Sequence, residues 1–168
     1  RGDVAILTAK AIDRVPDREF STSREIILHV VGPEEHAEAV RRRMEDILAQ
    51  VSEIAREEEG IMLENVRLSD EAFDELDERQ SDKALENLAE SQRDNARHLR
   101  DAAEEGAEAL REALRNPLFD EETLKRWGET MRKMEDVASG EMAQAASKIE
   151  EAKANPSSAK PSLSKAEQ

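Results

Sequence analysis

Residues 33–59, PEEHAEAVRRRMEDILAQVSEIAREEE, decide the fold class. Within them Val40, Met44, Ile47, Val51 and Ile54 recur at intervals of 4, 3, 4 and 3. Five consecutive positions obeying the a/d rule mark a helix whose apolar stripe packs on another helix. Pro33 suits the first helical turn, where an N–H is not needed, and Glu34 and Glu35 meet the positive end of the helix dipole. The run Glu57-Glu58-Glu59 followed by Gly60 is expected to interrupt this helix near Glu59, giving a span of 33–59.

On the C-terminal side, Ile61, Met62, Leu63, Val66 and Leu68 show no clean period, and residues 60–70 read as a bend that Ser69 closes as an N-cap. A second helix is expected over 70–115. Its seam passes through Phe73, Leu76, Leu85, Leu88, Gln92, Asn95, Leu99, Ala102, Gly106, Leu110 and Ala113. Asn116-Pro117 ends it, because Pro117 disfavours helical geometry at the residue before it. Asp120 can cap a third helix over 120–153, in which Leu124, Trp127, Met131, Met134 and Ala138 again step by 3 and 4, continuing weakly through Met142, Ala145 and Ile149. From Asn155 onward the Pro- and Ser-containing sequence reads as a flexible linker or tail, residues 154–168.

On the N-terminal side, residues 3–13 alternate like a strand, with Val4, Ile6, Thr8, Lys10 and Ile12 on one face and Ala5, Leu7, Ala9 and Ala11 on the other. Arg24 to Val31 reads as a second strand, rich in β-branched residues. Pro16, Asp17 and Ser21-Thr22-Ser23 between them are turn formers, so residues 1–32 are expected to form a β-hairpin with a long loop. Two strands are marginal in water. The hairpin must pair with something further or lie against the helices, which suggests a piece of a longer protein.

Composition agrees with elongated helices. Charged residues make up 39% of the 168, and the only rings are Phe20, Phe73, Phe119 and Trp127, with no Tyr, too few for the usual compact pocket. Forty acidic against 25 basic side chains give a net charge of -15, a field that repels phosphate backbones and anionic lipids. Nucleic acid is therefore not an expected partner. A basic protein surface suits such a field, and solubility accounts for it most simply. The absence of cysteine removes disulfides and thiolate metal sites. No apolar run approaches the roughly 20 residues that span a bilayer.

No pattern of catalytic groups emerges. Arg1-Gly2-Asp3 spells an adhesion tripeptide that matches by chance often. His29, His36 and His98 lack the spacing of a zinc or di-iron site. The runs Glu57-Glu58-Glu59 and Glu104-Glu105 read as solvated faces, and the serines lack a companion His and Asp. No metal or cofactor is expected. Gln92 and Asn95 are candidates for setting helix register, since amides in a seam cost stability yet fix alignment. Trp127, Met131 and Met134 are either core or an adaptable patch for a partner helix.

The first forty residues resemble a junction found in large, poorly characterised bacterial envelope proteins of the planctomycete type, in which an immunoglobulin-like β-domain runs directly into long coiled coil. The carrying residues are Ala9 to Pro16, then Ser21-Thr22-Ser23 leading into Ile26, Leu28 and Val30, and finally Pro33 to Ala37. The resemblance implies a membrane-anchored protein with these domains on the periplasmic side and without an established enzymatic activity.

The expected fold is mainly α. The end of a β-sandwich domain, residues 1–32, feeds a long antiparallel helical hairpin or coiled coil with a third helix, residues 33–153. In this reading Val40, Met44, Ile47, Val51 and Ile54 zip against Leu85, Leu88, Leu99 and their neighbours, in a seam that also holds Leu110. The expected function is a helical spacer or assembly rod whose partners are helices of its own or another chain, including a homo-oligomer. The rival is a partner-binding helical module, a chaperone-like clamp or scaffold, that uses an exposed groove or its acidic face.

Overall fold

The computed structural model describes residues 3–11, 21–68 and 78–154. Strands β1 (Asp3–Leu7) and β4 (Ile26–Val30) pair antiparallel, Asp3 opposite Val30 and Leu7 opposite Ile26. The short strands β2 (Lys10–Ala11) and β3 (Ser21–Thr22) continue the ribbon with Lys10 opposite Thr22. Partner numbers sum to 33 in the first ladder and to 32 in the second, so one residue is inserted on the returning strand and a β-bulge separates the two. Ser23 sits in that bulge. Its N–H donates to the Ala9 carbonyl at 2.8 Å and its hydroxyl oxygen accepts from the Ala9 N–H at 2.9 Å. Ser21 and Thr22, expected in the turn, are therefore strand residues. The expected loop tip, Ile12 to Phe20, lies outside the described residues.

The bulge leaves an exposed ribbon with apolar side chains on both faces. Val4 and Ile6 share a face with Ile27, while Leu7, Ile26, Leu28 and Val30 occupy the other, and every strand residue is exposed.

Helix α1 spans Pro33–Arg67, α2 spans Glu78–Ala113 and α3 spans Glu121–Val137. A single π-helical turn, Ala138–Met142, carries the last helix into α4, Ala143–Ala154. The mainly helical architecture with an N-terminal hairpin and a helical hairpin is the one expected. The stop at Glu59 is not found: α1 runs through Gly60 to Arg67, about two further turns. An added Cβ at Gly60 meets nothing within 4 Å, so the glycine costs only its backbone entropy, about 1 kcal/mol. Burial of Ile61, Asn65 and Leu68 offsets it, with Leu68 only 1% exposed.

The longer helix lengthens the seam. Ala37, Val40, Met44, Ile47, Val51, Ile54, Glu58, Ile61, Asn65 and Leu68 step strictly by 3 and 4, and all are buried or half-buried. Helix α2 is the central element. One stripe faces α1 and an adjacent one, including Ala89, Ala96 and Ala103, faces the α3–α4 rod. The expected positions Phe73 and Leu76 and the cap Ser69 lie outside the described residues.

Asp120 caps α3 as its sequence suggests. One carboxylate oxygen accepts from the Thr123 N–H and the other from the Thr123 hydroxyl, both at 2.8 Å. Downstream, Met134, Ala138, Met142 and Ala146 are buried at successive intervals of four. Steps of four drift around an α-helix with 3.6 residues per turn. The wider π turn takes up that drift and keeps Ala138 and Met142 on the face that packs on α2.

Candidate functional site: a polar layer and an open groove

Two apolar clusters form the core. In one, Ile47, Ile54, Leu99, Met131, Met134 and Met142 meet. In the other, Leu68, Leu85, Leu88 and Ile149 meet, with Ile61 against them. Leu85 and Leu88 thus pack beside Ile61 and Leu68, not beside Val40 to Ile54 as expected. The extra length of α1 places its C-terminal half opposite the N-terminal half of α2. Val40 is buried, Met44, Val51 and Leu110 are half-buried, and Ala109 beside Leu110 is fully buried.

Between the two clusters lies a polar layer. Gln92 and Asn95, both 2% exposed, do not bond each other. Both donate to Glu58 on α1: Gln92 Nε2 at 2.9 and 3.1 Å to its two oxygens, Asn95 Nδ2 at 2.7 Å to one of them. Asn95 Nδ2 also lies 3.2 Å from the Ile54 carbonyl, while its own Oδ1 is buried with no hydrogen-bond partner. Glu58 belongs to the acidic run read from sequence as solvated. Its membership of the seam is visible only once the 3–4 spacing is carried past Ile54, to 58, 61, 65 and 68.

Ion pairs reinforce the two helix seams. Arg43 on α1 reaches Glu105, Glu108 and Glu112 on α2, at 3.4, 3.0 and 3.2 Å. The Glu108 carboxylate foremost holds the guanidinium pKa above its ordinary value. Arg93 pairs with Glu150, Arg100 with Glu135 and Lys153 with Glu86 between α2 and the α3–α4 rod. At the far end the Asn116 amide donates to the Pro33 carbonyl at 2.7 Å and meets His36 Nδ1 at 3.0 Å. Its Oδ1 accepts from the Leu118 N–H, so one side chain ties the α2–α3 turn to the start of α1.

Between α1 and the α3–α4 rod the packing opens into grooves. One of about 380 Å³ is lined by Met44, Leu48 and Val51 on one wall and Trp127, Met131 and Met134 on the other. A second of about 260 Å³ lies between Glu59 and Met62 on α1 and Ala145 and Ile149 on α4. Met131 and Met134 are themselves buried, and Trp127 is half-buried with its ring centroid 5.5 Å from that of Phe119. The remaining candidates are dispersed: His29 is on exposed β4, His98 Nδ1 stands 3.9 Å from a Glu57 oxygen, and Asp3 opens β1. Arg1 and Gly2 lie outside the described residues.

Among the described residues, no group of three or more His, Asp or Glu side chains is placed to hold a metal ion, and no helix is long and apolar enough to cross a membrane. The arrangement is a closed α1–α2 seam interrupted by a polar layer, with an apolar groove beside it. Comparison with known proteins finds no matching family model, no matching curated protein and no matching solved structure.

Proposed function

We propose that the chain is a non-enzymatic structural and interaction segment, a helical rod that spaces or assembles the parts of a larger membrane-anchored bacterial envelope protein on its periplasmic side. The observation that carries this reading is the α1–α2 seam, ten consecutive 3–4 positions from Ala37 to Leu68 packed within one chain. Such packing makes a stiff element rather than a pocket. From Pro33 to Arg67 the 35 residues of α1 extend about 50 Å. The two-faced apolar hairpin supports attachment to further β-structure, as the resemblance to envelope proteins implies.

The groove beside Leu48 and Trp127 favours a second reading, a binding module for an apolar helix. Spin labels at Glu35→Cys and Leu63→Cys on a rod give one narrow distance near 42 Å, from 28 residues at 1.5 Å each. Trp127, the single tryptophan, lines the groove and separates the two readings. A rod leaves its fluorescence unchanged when an amphipathic apolar helical peptide is titrated into about 1 μM chain. A saturable change would mean a clamp, and that result would overturn the rod.

A further inference from the structure

Helix α1 carries a second stripe that the intrachain seam does not cover. Leu48 is 66% exposed, Met62 47% and Val66 37%. Met44, a seam residue whose half-exposed outer edge lines the first groove beside Leu48, and exposed Ala55 extend the row, and Met62 lines the second groove. The row is symmetric about Ala55: Leu48 and Met62 lie seven residues on either side of it, Met44 and Val66 eleven. A helix whose apolar residues are arranged this way is complementary to its own antiparallel copy, because a two-fold axis through the centre brings each residue onto its mirror position. The grooves follow the same plan, one opening beside Leu48 and the other beside Met62.

From this spacing we infer that α1 pairs antiparallel with α1 of a second copy, Ala55 meeting Ala55 on the two-fold axis, Leu48 meeting Met62 and Met44 meeting Val66. Each Met62 then enters the partner's groove beside Trp127, and each Leu48 the groove beside Ile149. The contact extends about 33 Å, 22 residues at 1.5 Å each. Two helices packed over that length bury on the order of 1,000 Å² in total, the low end for a specific interface. Association is accordingly weak and reversible. Both copies carry a charge of -15, so screening their repulsion strengthens the pairing, whereas a basic foreign partner would be released by salt. The inference rests on the chain acting as an assembly rod, and a monomer that keeps its 42 Å label distance would remove the self-pairing alone.

The sequence contains no cysteine, so single-cysteine variants report contacts cleanly, and all three positions are exposed. On mild oxidation Ala55→Cys is expected to give a disulfide-linked dimer. Leu48→Cys alone is not, since its copies stand about 21 Å apart in the antiparallel pair. A mixture of Leu48→Cys and Met62→Cys is expected to yield the mixed dimer at least tenfold over either homodimer. Sedimentation of the unmodified chain should show dimer near 100 μM dissociating by about 1 μM, with the dimer fraction rising in 0.5 M salt. A Leu48→Glu/Met62→Glu variant should stay monomeric with its thermal midpoint retained. Crosslinking of Leu48→Cys to itself would mean a parallel pair, and a concentration-independent monomer would mean none. Either result overturns the proposal.

Discussion

Asn95 Nδ2 donates to Glu58 Oε2 at 2.7 Å across the α1–α2 seam, and with Gln92 it surrounds a carboxylate by amide donors at the boundary between two apolar clusters. Removing the acceptor strands the Gln92 amide and leaves Asn95 Nδ2 only the Ile54 carbonyl, with both side chains buried. Glu58→Ala is therefore expected to lower stability by about 2–3 kcal/mol in urea unfolding. Replacing all three residues by Leu should recover most of that loss, because an apolar layer leaves nothing unsatisfied. The recovered variant loses its register mark, and amide exchange should show several α1–α2 alignments where the parent shows one. A triple variant with a single alignment would deny the layer its register role.

Gly60 and Gly106 both sit inside long helices, yet opposite outcomes are expected on adding a methyl group. At Gly60 the new Cβ meets nothing within 4 Å, so Gly60→Ala should gain about 0.5–1 kcal/mol from backbone entropy and raise the melting temperature. At Gly106 it would overlap Met131 Sδ and come within 3.3 Å of its Cγ, forcing a buried side chain off its rotamer at a cost of about 1–3 kcal/mol. Calorimetry of the two variants should therefore separate them by at least about 1 kcal/mol. Equal midpoints would mean that Met131 moves aside freely.

These glycines also show how far the sequence could be read. The five apolar positions from Val40 to Ile54 revealed the α1 seam, and Asn116-Pro117 with Asp120 located the α2–α3 turn. Gly60 reads as a stop because local propensity sets it beside three adjacent glutamates, whereas the burial of Leu68 eight residues later decides the matter. A helix ending there leaves Glu58 outside the seam and shifts the pairing of Leu85 and Leu88. The hairpin's two strands were legible from alternation. Its bulge was not, since Ser23 acts through the backbone of Ala9, fourteen residues away. Gln92 and Asn95 stood out as amides in an apolar row, but their acceptor is 34 and 37 residues distant.

Arg43 faces three glutamates spaced along α2, and its side chain is 30% exposed. Arg43→Met keeps much of the packing while leaving Glu105, Glu108 and Glu112 to repel one another. The expected loss is about 1 kcal/mol at low ionic strength, shrinking to a few tenths at 1 M salt, where the Debye length is about 3 Å. Parallel urea titrations of parent and variant at the two salt concentrations measure it. A loss that does not change with salt would assign Arg43 a packing role only.

Two carboxylates make the fold sensitive to acid. Asp120 is held below its ordinary pKa by the Thr123 N–H and hydroxyl, and Glu64 is held below its own by the Arg67 guanidinium. A carboxylate depressed by folding contributes stability that is fully present above its unfolded pKa and is lost as pH falls through the folded one. The unfolded values are near 3.8 and 4.5, so the loss begins below about pH 5 and deepens toward pH 2. Protonating the surplus acidic residues relieves their mutual repulsion and works in the opposite sense, which is why each variant must be compared with the parent at the same pH. Asp120→Asn retains an oxygen that can accept from Thr123 but cannot titrate, and Glu64→Gln removes the second titrating group. The Asp120→Asn/Glu64→Gln protein should be less stable than the parent at pH 7, with the gap narrowed at pH 3. A gap of the same size at both pH values would mean that these two groups do not titrate with unfolding.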